Sequence, residues 1–367
     1  MNNRLSRRTA LGLVAGLGTL GLPRTTGFAQ TAASDAGQGS YPPEDISENW
    51  FTAVAMSTNG RLVAGASTSR AIGIWETATG KLINQLAFPT TQNSVGALAF
   101  TPDGDRLLVG NVPQRRRSKG KALLEYDITS GEIVSEASVD PNWVYKIATC
   151  ATVDWFATAG GGYDRSLRVW KSHSLHPHHI WPAHESAVLA VAISPNGARI
   201  VTGGGYSHRG GRDPSVRVWD SQTAQQLHKL SGHTQSIVDL VITADGRRLV
   251  SLSSDAVQVW ALDTGKRISR TKLVEDNATA KKLSPDGRYL VSLTAGDAGN
   301  LVTQSVASGR TLIQIQRKTS RIEPVTISPD SALIVVGGTS SEIDIHALAT
   351  GALVRRMEPL PLPAKPQ

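Results

Sequence analysis

Seven times between Trp50 and Leu360 the chain repeats one unit. The unit is an alternating apolar run, a turn of the Ser-Pro-Asp-Gly kind, a second apolar run, and a strand of the apolar-x-apolar-Trp-Asp kind. The turns read Ser57-Thr58-Asn59-Gly60, Thr101-Pro102-Asp103-Gly104, a blurred Ala151-Thr152-Val153-Asp154, Ser194-Pro195-Asn196-Gly197, Thr243-Ala244-Asp245-Gly246, Ser284-Pro285-Asp286-Gly287 and Ser328-Pro329-Asp330-Ser331. A unit this short cannot bury its own apolar face, so each copy must lean on its neighbours.

The Trp-like position falls at Trp75, Tyr126, Trp170, Trp219, Trp260, Gln304 and His346, with spacings of 51, 44, 49, 41, 44 and 42 residues. That period, with four short strands per unit, predicts propeller blades. In the clearest unit Val188 to Ile193 is a buried inner strand and Ala198 to Thr202 the second. Ser215 to Trp219 is the third and Gln225 to Leu230 the outer one. The third alternates cleanly, as a strand with one core face should. No run longer than a few residues has helical spacing. The fold expected is all-β: one seven-bladed β-propeller of four-stranded antiparallel blades over residues 49–358, acting as a monomer. The first unit opens on an inner strand, Phe51 to Met56, and the last closes on an outer one, Ala352 to Met357. The ring is therefore expected to close by side-by-side packing, without an N-terminal strand completing the last blade.

These residues resemble the WD-repeat (WD40-type) family over most of the chain, best in Ala183-His184 to Trp219-Asp220 and Gly232-His233 to Trp260. The resemblance implies a hydrogen-bonded tetrad inside a blade: His184, Thr202, Asp213 and Trp219 in blade 4, and His233, Ser251, Asp255 and Trp260 in blade 5. These His and Asp residues are then structural, since a buried indole N–H and a buried carboxylate both need partners. Blades 1, 2 and 7 lack the Gly-His, and blades 6 and 7 lack the Trp. The family implies a scaffolding role, with no cofactor.

Residues 1–29 read as a signal peptide. Arg4, Arg7 and Arg8 precede the uncharged stretch Thr9 to Leu22, and Gly27-Phe28-Ala29 offers a small-x-small cleavage site. Ser6-Arg7-Arg8-Thr9-Ala10-Leu11 resembles the bacterial twin-arginine export signal, with Ala10 and Gly12 departing from its usual Phe and Lys. A periplasmic protein, not integral to the membrane after cleavage near Ala29, is expected. The formal charge of +8 falls to +4 once the four leader arginines are removed, so the basic balance is no nucleic-acid signature. Residues 30–48 read as a flexible leader and the Pro-rich 359–367 as an extended tail. Cys150 is the only cysteine; it excludes an intrachain disulfide and reads as a buried inert thiol in a strand.

Interruptions of the repeat mark the candidates for function. Blades 2 and 4 are stretched in the loop between their second and third strands. The first loop carries Arg115, Arg116, Arg117, Lys119 and Lys121, and the second His208, Arg209 and Arg212; Arg165 lies in blade 3 between them. By the family resemblance these loops share a face with the Gly-His loops. One positive sector would suit an acidic protein surface, an anionic ligand or anionic phospholipid. His173, His176, His178 and His179 follow the third strand of blade 3 as a weak metal candidate in a polar turn, with no strand to fix their spacing.

The alternative is a propeller enzyme. Ala261-Leu262-Asp263-Thr264-Gly265-Lys266 resembles a quinone-dehydrogenase blade motif, but no Trp follows it and the same residues make an ordinary turn. A lactonase would need carboxylates converging on an axial ion; Asn142, Lys146, Asp239 and Lys281 are the scattered polar residues on inner strands. No nucleophile–base constellation stands out, so no catalytic residue is assigned.

Overall fold

The structure, a computed structural model, describes residues 50–89, 93–113, 121–138, 144–160, 165–206, 211–273, 278–294, 299–317, 324–338 and 342–361. They form seven four-stranded antiparallel sheets in chain order, each running from first to fourth strand without crossover. Among the described residues there is no helix, so none is long and apolar enough to cross a membrane. Each first strand packs against the first strand of the next blade, and Phe51–Met56 meets Val325–Ile327, which closes the ring.

The turn after each first strand explains its own sequence. Ser57 Oγ donates to Asn59 Oδ1 at 2.8 Å and accepts from Leu62 N at 2.9 Å, while Asn59 Oδ1 accepts from Arg61 N. Blades 2, 4, 5, 6 and 7 repeat the donation from hydroxyl to side-chain oxygen with Thr101/Asp103, Ser194/Asn196, Thr243/Asp245, Ser284/Asp286 and Ser328/Asp330. The fourth residue turns back at positive φ, 70° at Gly60, which is why glycine stands there. Ser331 adopts φ 59° in its place in blade 7. The blurred turn of blade 3 is offset by one residue from the expected one: Val153 N bonds Cys150 O. Cys150 thus opens the turn rather than lying in the strand, which spans Lys146–Ala148. Its buried thiol reaches Ser194 O at 3.3 Å and ties blade 3 to blade 4.

The core is not axial. Seven apolar clusters among the described residues sit one at each blade–blade interface. That distribution follows from the repeat, because both faces of each radial sheet meet another sheet and the burial of apolar area is shared between neighbours.

Closure uses the chain's last described residues. Blade 1 and blade 7 each supply their own four strands, and residues 45–49 lie outside the described residues. The expected free tail is instead docked as far as Pro361. Trp75 Nε1 donates to Glu358 O at 2.8 Å, Leu82 N to Glu358 Oε2 at 2.9 Å, and Gln85 Nε2 to Pro361 O at 3.1 Å. Leu360 is buried in the cluster of Phe51, Trp75 and Met357. Prolines on either side of Leu360 cannot extend a ladder, yet they leave its side chain free to fill the seam.

Candidate partner-binding face

The Gly-His loops and the loops between second and third strands open on one face, because each strand of a blade reverses the one before it. Blade 4 holds this face with a complete hydrogen-bonded chain. Trp219 Nε1 donates to Thr202 Oγ1 at 2.9 Å, and Thr202 Oγ1 lies 2.8 Å from His184 Nε2. His184 Nδ1 lies 3.0 Å from Asp213 Oδ2. The carboxylate can only accept, so His184 carries its proton on Nδ1, and Thr202 donates to the bare Nε2. Burial lowers the His184 pKa, against the pull of Asp213. Burial alone would raise Asp213, but hydrogen bonds from His184, Ser215 and the Glu185 amide hold it far below the usual carboxylate range. Arg217 Nη2 adds a contact at 2.9 Å.

Blade 5 departs from the implied tetrad. Trp260 Nε1 and His233 Nε2 meet at Ser251 Oγ, at 2.9 and 2.7 Å. His233 Nδ1, however, bonds Ser253 Oγ at 2.7 Å and lies 3.9 Å from Asp255. Ser253 passes the contact on, donating to Asp255 Oδ1 at 2.5 Å. Burial brings the His233 pKa down to about 4. Both histidines are buried and neutral, and they brace the loops from within the blade.

The stretched loop of blade 4 is braced on blade 5. Tyr206 and Arg212 form a bridge across its base, and the Arg212 guanidinium lies over the Tyr206 ring at 5.2 Å. Arg212 Nη2 and Tyr206 Oη both donate to Thr234 O, and Tyr206 N donates to Ser236 Oγ. Arg212 remains exposed. Arg165 is exposed on the same face in blade 3. Lys121, at the end of the blade 2 loop, pairs with Glu136 at 3.0 Å while both stay half exposed. Arg115, Arg116, Arg117, Lys119, His208 and Arg209 lie outside the described residues. The face also carries an acid: Glu185, strongly exposed, sits 3.6 Å from Arg217 and 3.7 Å from Lys229.

The histidine run is only in part the turn expected: His173 lies in a turn. A fourth strand, Pro177–Pro182, takes in His178 and His179, whose rings stack at 4.3 Å. His173 instead lies 3.2 Å from Asp103 of blade 2. Among the described residues no group of three His, Cys, Asp or Glu is arranged to hold a metal. The residues Ala261 to Lys266 form a tight turn, with Ala261 N bonded to Lys266 O and Gly265 at φ 66°.

One concavity had no local signal in the sequence. On the face opposite the Gly-His loops, Val153, Trp155, His178, His179, Asn196 and Gln222 line a groove of about 410 Å³ between blades 3 and 4. Its lining comes from five separate turns and strands, and only the packing of two blades brings them together.

Residues 175–220 and 224–260 match the family model described as WD domain, G-beta repeat. The two matched stretches contain the hydrogen-bonded chains of blades 4 and 5.

Proposed function

Because this chain is a seven-bladed propeller carrying WD repeats, we propose that it is a non-catalytic platform for protein binding. Its partner docks by an acidic surface on the face formed by the loops of blades 2 to 4. The observation that carries the reading is the braced loop of blade 4. Tyr206 and Arg212 pin it to Thr234 of the next blade while leaving cationic and aromatic surface outward, and rigid loops on a rigid disc suit recognition. Arg165 and Lys121 extend the positive charge to blades 3 and 2, and the run from Arg115 to Lys119 would add to it. Lys121 is only loosely held, since an exposed pair with Glu136 contributes little and can be exchanged for a partner's carboxylate.

The N-terminal signal adds the place of action. Arg7-Arg8 followed by an uncharged stretch and Gly27-Phe28-Ala29 supports export through the twin-arginine route to the periplasm. That route suits a propeller that closes on itself before it crosses.

The test is affinity capture of the tagged mature protein from its own periplasm, in wild type and in a variant with Arg115, Arg116, Arg117 and Arg212 changed to Glu. A defined partner, lost in the variant and weakened by salt as a charge-steered contact should be, is the expected result. A partner retained at equal strength by the variant removes the assigned face. Cytoplasmic retention of the wild-type protein with its first 29 residues uncleaved removes the assigned compartment.

A further inference from the structure

The innermost strands of blades 1 to 6 set six side chains at one height around the axis. Pairing with the second strands places Ala53, Ala97, Ala190 and Ala280 at that height in blades 1, 2, 4 and 6. Blades 3 and 5 place Lys146 and Asp239 there. The next row toward the opposite face carries Ala55, Ala99, Ala148 and Ala192, with Lys282 in blade 6. Small side chains stand at these heights on most blades, and charged ones on three.

Their geometry is unequal. Lys282 Nζ reaches Asp239 Oδ1 at 2.8 Å, and Asp239 Oδ2 accepts from Leu283 N at 2.9 Å. That carboxylate is buried and fully engaged. Among the described residues Lys146 makes no close ion pair; the carboxylate that attracts it is the same Asp239, already engaged by Lys282. Its strand is paired outward with Trp155–Ala159 and flanked by the first strands of blades 2 and 4. The side chain is nevertheless exposed, so the solvent it meets is that of the axis. Desolvation by the surrounding strands lowers its pKa, with repulsion from Lys282 adding to this and attraction by Asp239 opposing it. Two lysines and one aspartate leave a single formal positive charge among the packed inner strands, where an anion is held more strongly than at the surface.

We propose that Lys146, with Lys282 opposite, forms a binding site for one small oxyanion, a carboxylate or a phosphate, in the axial channel. The Asp239 carboxylate sets the preference: it neutralises Lys282 and repels a highly charged ligand, so a monoanion leaves the trio neutral. The anion can be a free metabolite or a carboxylate presented by a docked partner, since both offer the same oxygens to Lys146. The site does not depend on which partner the disc binds.

The experiment uses the full mature protein with its lysines ¹³C-dimethylated, which keeps their charge, and follows the methyl resonances by NMR. The Lys146 signal is assigned by its disappearance in Lys146→Met. Inorganic phosphate, acetate and a short acidic peptide are titrated separately at constant ionic strength, with chloride as the control. The expected result is a saturable shift of the Lys146 and Lys282 signals by phosphate or acetate, with affinity reduced about tenfold or more in Lys146→Met. Lys146→Arg, which keeps the charge, should retain binding, which separates loss of the ammonium group from loss of the fold. Saturation by the peptide alone assigns the site to a partner's carboxylate. Shifts that match chloride for every probe, or equal affinity in Lys146→Met, overturn the proposal.

Discussion

Arg317 Nη1 lies 3.0 Å from His346 Nε2 in blade 7, at the position where blades 3 to 5 place a tryptophan. The guanidinium has only protons to give, so Nε2 is the acceptor, and His346 Nδ1 donates to Gly351 O at 3.0 Å. Arg317 also reaches Asp344, which Arg356 holds from the other side at 2.8 Å. Blade 7 thus replaces the Trp-centred chain with a cation bridging an imidazole and a carboxylate. His346 is held neutral, its pKa lowered by burial first and by Arg317 after it. Changing Arg317 to Met should raise the His346 pKa toward the ordinary histidine value, read from its ring resonances in an NMR titration, and should destabilise the protein by about 2 kcal/mol through the unpaired Nε2 and the weakened hold on Asp344.

Stability should fall in mild acid, and three histidines set the window. His184, His233 and His346 all have lowered pKa values in the folded protein, His233 at about 4. In the unfolded chain each binds a proton at about pH 6.5. Their contribution is therefore complete above about pH 6.5 and is lost as the pH falls toward the folded values. For His233 alone the loss amounts to about 3 kcal/mol. Urea unfolding at about pH 7.5 and about pH 4.5 should show this drop, and His233→Gln should reduce it. Equal midpoints at the two pH values would contradict the neutral-strut assignment.

Thr202 is the hub of blade 4. Thr202→Val keeps the shape but orphans the Trp219 N–H and the His184 Nε2, both buried, and should cost about 2–4 kcal/mol in denaturant unfolding. Thr202→Ser, the arrangement native to blade 5 at Ser251, should cost about 1 kcal/mol for the lost methyl group. If the two variants prove equally stable, the hydroxyl is not the hub.

Gly204 is required by the same network. A Cβ there would meet Asp213 O at 2.2 Å and His184 Nδ1 at 2.5 Å. Gly204→Ala should therefore displace His184 from Asp213 and lower stability by roughly 2 kcal/mol or more. Alanine tolerated without loss, by thermal melting, would mean that the Asp213 loop can move aside.

The docked segment after the last strand should matter as much as a core residue. Leu360→Ala should destabilise by about 2–4 kcal/mol. A chain ending at Met357 should lose more, because the Trp75 indole and the Leu82 amide also lose Glu358. A chain ending at Pro361 should melt with the full-length protein. Equal melting of the Met357 and Pro361 truncations would show that the segment closes nothing.

Strand order, blade number and the turn after each first strand were legible in the sequence because each is decided within a few residues. The hydroxyl of Ser57 finds Asn59 two positions on, and the apolar alternation of Val216 to Trp219 declares a buried face wherever the blade stands. The histidines at 184 and 233 could be recognised as struts from their place in the repeat, although the Ser253 relay to Asp255 could not, since one serine in a strand looks like any other. The repeat also concealed the offset turn at Cys150, where neither a hydroxyl nor a glycine marks the register.

Tertiary structure decided what joins one repeat to another. Leu360 among prolines has no local reason to be buried; only the seam between Trp75 and Met357 makes a place for it. His173 and Asp103 are seventy residues apart in the chain, and His178 and His179 line a groove whose other wall belongs to blade 4. Lys146, Asp239 and Lys282 stand in three separate strands until the ring closes and sets them around one axis. A repeat encodes the interactions within its own length, while the contacts between inner strands of different blades exist only when the copies close into a ring.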